Sequence, residues 1–256
     1  MSSASLHTEQ LTSTQLYDRI NQRARFKQRS HDTHTQTHQP QLESPTLTTS
    51  SVLLSSQYLP QIDIVLLGSS MLERFKTTGK DSRIGQMQYP QLFNAGVGGD
   101  KIENVLYRIN LGLLRLLKPR NPTVFVLYLG GNDIQPKQAL THQNLDDYCL
   151  LLQALLMTWS TPPQILVTGL FKQKKVDEQY ITQSNTALEE LVVKTNIAEM
   201  QKHAQQDHWV HWMEPPKQIG LKYLQDDVHL NTDGYQIWDD ALYPKIQELL
   251  HLHNSK

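Results

Sequence analysis

From residue 62 onward, short apolar runs alternate with longer segments whose apolar residues recur every three or four positions. IDIVLL (62–67), YPQLFNAG (89–96), TVFVLYL (123–129), QILVTGL (164–170) and HWVHWM (208–213) predict strands. The first, third and fourth are nearly unbroken apolar runs, as expected of strands covered on both faces. Residues 101–118, 144–159, 180–206 and 233–252 predict helices. Within the first of these, Ile102, Val105, Leu106, Ile109, Leu113, Leu116 and Leu117 form a core-facing stripe. Pro119 and Pro122 stop it before the third strand. Strands alternating with helices predict an α/β fold, a mostly parallel sheet between two helix layers. Right-handed crossovers then bring the loops after each strand to one sheet edge, where open α/β sheets bind ligands.

Before residue 60 this pattern is absent. Residues 1–59 are dominated by Ser, Thr, Gln and His, with a low-complexity stretch, SHDTHTQTHQPQLESPTLTTSS, over 30–51. Its few apolar side chains do not offset the entropy of ordering it. Residues 1–59 are therefore expected to be a polar, largely disordered tail, dispensable for folding, ahead of one domain over 60–256. Leu16, Tyr17, Ile20 and Ala24 trace a weak amphipathic helix that either docks or stays loose. His31, His34 and His38 are metal-capable side chains, but metal sites need a rigid frame and outer-shell partners. The expectation is a solvated tail.

At 256 residues the chain can bury a sizeable core. Its 25 acidic and 24 basic residues nearly balance, so no strong field draws it to nucleic acid or anionic lipid. No apolar run approaches the roughly 20 residues of a membrane span, and MSSASLHTEQLTSTQ lacks the apolar core of a secretory signal. The single cysteine, Cys149, lies in the apolar run YCLLLQALLM and is expected to be a buried thiol. A soluble, cytoplasmic protein without stable membrane insertion is the expectation; a homo-oligomer is left open.

Four segments fall on the predicted ligand-binding edge: Gly68-Ser69-Ser70, NAGVGGD (94–100), GGND (130–133) and DDVHLNTDGY (226–235). Together they hold what acyl transfer requires. A serine hydroxyl becomes a useful nucleophile when a base takes its proton, and imidazole titrates in the right range. A carboxylate on the other ring nitrogen fixes the tautomer, and Asp226 stands three residues before His229. The developing oxyanion needs preorganised donors: Gly99 has an N–H free of any Cβ, and Asn132 has a side-chain amide. Ser70 sits at a strand-to-helix turn, where the helix N-terminus adds positive potential.

These blocks, Ser70 in GSSM, Gly99 in NAGVGGD, Asn132 in GGND and His229 in DDVH, resemble those of the SGNH, or GDSL-type, esterase and lipase superfamily. The stretches NAGVGGDKIENVLYRI and LKPRNPTVFVLYLGGND look most like its intracellular platelet-activating-factor acetylhydrolase branch. The resemblance covers roughly residues 60–250. It implies a flavodoxin-like three-layer α/β/α sandwich around a five-stranded parallel sheet. It implies Ser70 as nucleophile, His229 as base and then acid, and Asp226 as its orienting carboxylate. The oxyanion hole would combine the N–H groups of Ser70 and Gly99 with the Asn132 side chain. A small-molecule ester is the implied substrate, and no metal or organic cofactor is implied. The chain departs from the family in one place: the usual Asp before the nucleophile is Ser69, which can accept some of the same hydrogen bonds but without the charge. No G-x-S-x-G elbow is present, which argues against the ordinary α/β-hydrolase fold.

Simpler readings stand beside these. Ser70 alone could cap the following helix, Gly98-Gly99 could only turn the chain, and Asn132-Asp133 could form an Asx-turn. Asp227 rivals Asp226 as the orienting acid. Asp100 and Asp133 are expected to close their own loops, Lys172, Lys174 and Lys175 to be a solvated run, and Asn185 at most to hold a loop. The functional expectation is a serine esterase acting on a small acyl group, most plausibly acetyl, through an acyl-enzyme. The alternative is an SGNH-like binding or scaffold protein weakened at Ser69.

Overall fold

The computed structural model describes residues 11–44, 59–202 and 208–254. Five parallel strands, β1 (Ile64–Gly68), β2 (Leu92–Gly96), β3 (Val124–Tyr128), β4 (Gln164–Thr168) and β5 (Val210–Met213), form one sheet in the order β2-β1-β3-β4-β5. That is the flavodoxin-like order, with its reversal between β1 and β3. Every residue of β1 to β4 is buried, whereas the edge strand β5 is half-buried along most of its length. The register sets Gly68 opposite both Gly96 and Tyr128, so the loops after β2, β1 and β3 leave the sheet at one level.

Helices α1 (Ser13–Arg23), α2 (Gln28–Thr33), a π-helical turn (His34–His38) and α3 (Gln39–Glu43) precede the sheet. Then come α4 (Ser70–Glu73), α5 (Arg83–Gln86), α6 (Ile102–Asn110), α7 (Leu113–Leu117), α8 (His142–Thr158), α9 (Glu178–Lys202) and α10 (Thr232–Asn254). α6, α8 and α9 pack side by side as one layer, while α10 packs on β3, β4 and α5 in the other. The single helix predicted over 101–118 is broken: Gly112 adopts a left-handed conformation (φ +103°) that ends one helix and starts the next. Cys149 is half-buried rather than buried. Among the described residues no helix is long and apolar enough to cross a membrane.

The expectation of a disordered tail over 1–59 fails for residues 11–44; residues 1–10 and 45–58 lie outside the described part. Residues 11–44 form a strap over the α6/α8 layer: α1 lies against α6 and α8, α2 against α6, and α3 against α7. Leu16, Ile20 and Leu42 are almost wholly buried beneath it. Three apolar anchors are few, and polar partnering supplies the rest. Arg23 clamps the buried Asp147 through two hydrogen bonds, at 2.5 and 3.0 Å. The fully buried Arg120 donates to the carbonyls of Leu42 and Ser44. A buried charge without a partner is strongly disfavoured, so the strap and domain need each other.

Candidate active site

Ser70 opens α4 directly after β1 and is 8% exposed. A Cβ on Gly68 would stand 2.4 Å from the Tyr128 carbonyl oxygen, so only glycine allows β1 and β3 to approach this closely below the serine. Three further groups hold the turn. Asn94 Nδ2 donates to the Leu72 carbonyl (2.8 Å), the Tyr235 hydroxyl donates to the Met71 carbonyl (2.7 Å), and Ser69 N–H donates to the Tyr128 carbonyl (3.3 Å). The Ser69 side chain, in the place of the family's Asp, makes no helix-capping bond. Asn94, Tyr235 and the Ser69 N–H thus brace the nucleophile loop.

Across the edge, Ser70 Oγ lies 2.8 Å from His229 Nε2, and His229 Nδ1 lies 2.8 Å from Asp226 Oδ2. The other carboxylate oxygen of Asp226 accepts the backbone N–H groups of Val228 and His229, both at 2.8 Å. Partial burial pushes the Asp226 carboxyl up, but the two backbone donors and the imidazole outweigh it and hold it well below the usual carboxylate range. An ionised carboxylate only accepts hydrogen bonds, so Nδ1 carries the ring proton and Nε2 is left to accept from the serine hydroxyl. Asp227 turns the other way, to Lys175 Nζ at 2.5 Å, on the exposed side of the loop.

The second and third blocks meet beside this line. Val97–Asp100 is a tight turn, closed by the Asp100 N–H on the Val97 carbonyl (3.1 Å), with Gly99 left-handed at φ +74°. Asn132 Nδ2 donates to the Asp100 carbonyl (2.9 Å), which spends one of its two hydrogens. The wholly buried Arg108 ties the blocks from beneath, donating to Asp100 (3.0 Å), Ala95 O (2.8 Å) and Gly68 O (3.4 Å). Burial pushes its guanidinium below the ordinary value, with Asp100 opposing. Asp100 thus does more than close its own loop: it also accepts from Lys27 Nζ (3.1 Å) and from the Ser30 hydroxyl, both on the strap. Asp133 accepts from Ile102 N–H and Asn144, and burial pushes its carboxyl up to about 7.

The lysine run is exposed as expected, Lys172 pairing with Glu178 and Lys175 with Asp227. Asn185 brackets the loop after β4 through both the N–H and the carbonyl of Leu170. Among the described residues no three His, Cys, Asp or Glu side chains form a metal-binding group. The sequence reading overlooked Asn94 and Tyr235, although both lie inside the quoted motifs. It also overlooked Lys27 and Ser30, which stand some seventy residues before their partners, and Arg29, which stands 44 residues before Glu73; none carries a spacing signal.

Solved structures share this fold at low identity. A candidate acylhydrolase of Bacteroides fragilis superposes with a TM-score of 0.59 at 15% identity, covering 88% of this chain and 100% of its own. A protein of Streptococcus pneumoniae described as a candidate platelet activating factor gives 0.56 at 15%, covering 85% and 92%. A carbohydrate esterase family 3 protein of Talaromyces cellulolyticus gives 0.53 at 18%, covering 75% and 99%. No curated protein matches the chain in sequence. The pattern of the GDSL-like lipase/acylhydrolase family matches residues 16–242, from the strap to the last helix, and the chain belongs to that family.

Proposed function

We propose that this protein is a serine esterase that hydrolyses a small acyl ester, acetyl above all, through an acyl-enzyme. The observation that carries the reading is the unbroken hydrogen-bonded line from Ser70 Oγ through His229 to Asp226, each link 2.8 Å long. Ser70 attacks the ester carbonyl while His229 takes the hydroxyl proton at Nε2. The charge that gathers on the carbonyl oxygen is met by the N–H groups of Ser70 and Gly99 and by the remaining Asn132 hydrogen. Ser70 N–H lies in the first turn of α4, where no intrahelical acceptor exists. Collapse of the tetrahedral intermediate breaks the bond to the alcohol, which leaves with the proton from His229. Water, deprotonated by the same imidazole, then releases the carboxylic acid and restores Ser70. Asp226 holds the ring in the required tautomer and stabilises the imidazolium.

The resemblance to the platelet-activating-factor acetylhydrolase branch supports an acetyl group, and the fold shared with a carbohydrate esterase keeps a sugar alcohol open. Nitrophenyl esters from acetate to octanoate test the reading. The expected result is Ser70-dependent hydrolysis, fastest for acetate and abolished by an organophosphate. Background rates for every chain length, or a Ser70→Ala variant as active as the parent, would overturn it.

A further inference from the structure

The turn over Val97–Asp100 allows two arrangements of its central peptide. Gly99 has φ +74°, Gly98 is not in the left-handed region, and the closing bond runs from Asp100 N–H to the Val97 carbonyl. These are the marks of a type II turn, which requires a positive φ at its third residue. Types I and II differ mainly by a half-turn of the central peptide, here the one joining Gly98 to Gly99. Glycine at both central positions leaves both forms sterically open. In a planar trans peptide the carbonyl and the N–H point in opposite directions. Whatever holds the Gly98 carbonyl therefore decides where the Gly99 N–H points.

That group is Lys27. Its Nζ donates to the Gly98 carbonyl at 2.7 Å and to Asp100 Oδ1 at 3.1 Å, and the same nitrogen lies 3.0 Å from where a Cβ on Gly99 would stand. Lys27 is itself held, on the short connector between α1 and α2. Ser30 follows it onto Asp100, and Arg29 makes two hydrogen bonds to Glu73, three residues after the nucleophile. A cation on the carbonyl also polarises the peptide and strengthens its N–H as a donor.

We infer that Lys27 is a positioning residue of the oxyanion hole: by clamping the Gly98 carbonyl it aims the Gly99 N–H at the reacting carbonyl oxygen, so the N-terminal strap completes the active site. This inference rests on the esterase reading above.

Lys27→Met tests it in the full chain with nitrophenyl acetate. The expected result is a fall in kcat of at least about tenfold, with KM within about twofold. The affinity for phenylboronic acid, which forms a tetrahedral serine adduct, should fall by a similar factor. Lys27→Arg, which keeps a cationic donor in reach, should recover most of the loss. Arg23→Met loosens the strap at α8, away from the turn; it should lower the melting temperature yet leave kcat within about twofold. Should Lys27→Met fail to fold, Lys27→Gln takes its place with the same expectations. If Lys27→Met keeps the parent kcat, or Arg23→Met lowers kcat as much at equal loss of stability, the inference falls and the esterase reading stands. If the parent shows no Ser70-dependent turnover, both fall, and that result is visible before any Lys27 variant is made.

Discussion

Two polar, histidine-bearing stretches of this chain look alike in composition and do opposite things. In DDVHLNTDGY, His229 is 22% exposed on its side chain and uses both ring nitrogens, one toward Ser70 and one toward Asp226. In SHDTHTQTHQPQLE, His34 and His38 are at most 1% exposed, and the ring nitrogens of His38 have no hydrogen-bond partner. His38 instead packs its ring edge-on against Phe93 on β2, at 5.4 Å. Burial, with Arg108 adding to it, pushes His34 down to about 4 and His38 down to about 2. Polar sequence therefore says little about exposure. The difference lies in what surrounds each ring: Asp226 in its own loop and Ser70 across the sheet edge for His229, an apolar interior for His38.

The largest effect should come from the local stretch. Asp226→Asn removes the group that fixes the tautomer of His229, and in a serine protease the matching change costs about four orders of magnitude in turnover. A fully active variant would separate Asp226 from the mechanism.

Next comes the strap as a whole. Deleting residues 1–44 uncovers surface beneath Leu16, Ile20 and Leu42, each worth roughly 1.5–3 kcal/mol, and takes Arg23 from Asp147 and the Leu42 and Ser44 carbonyls from Arg120. A melting temperature lower by about 10 °C or more, or aggregation, is expected, as read by calorimetry. A shortened chain that melts like the parent would mean that the strap adds no stability.

A smaller effect concerns pH. His34 and His38 have folded values below that of the unfolded chain, near about 6.5, so the fold binds fewer protons than the unfolded state. Their stability contribution is whole above that value and is lost as pH falls below it. Asp133, raised to about 7, works in the opposite sense between about pH 4 and 7. Replacing both histidines by Leu should flatten the acid side of a stability-against-pH curve, and replacing Asp133 by Asn should steepen it. Curves that coincide with the parent's would contradict the burial argument.

The smallest effect is at Asp227. Its exposed ion pair with Lys175 contributes little, so Asp227→Asn should leave turnover within about twofold of the parent. A loss comparable to that of Asp226→Asn would exchange the roles of the two carboxylates.

How much was legible in the sequence follows the same division. Strands β1, β3 and β4 were readable because a fully covered strand writes its burial into every residue. The four site blocks were readable because each is a few consecutive residues at a strand end. The break at Gly112 was missed because an unbroken apolar stripe at helical spacing runs across it. The strap was misread because apolar content is a poor guide when three side chains anchor it and buried charges of the domain do the rest. Lys27 left no trace in the sequence, since its meaning depends on a turn seventy residues away.

The central claim is that Ser70 is a nucleophile activated by His229. Intact-mass and peptide analysis after treatment with a radiolabelled organophosphate tests it most directly. One phosphoryl group per chain, located on Ser70, absent in Ser70→Ala and strongly slowed in His229→Gln, is the expected result. Labelling on Ser69 or elsewhere, or none under conditions that inactivate other serine esterases, would contradict it.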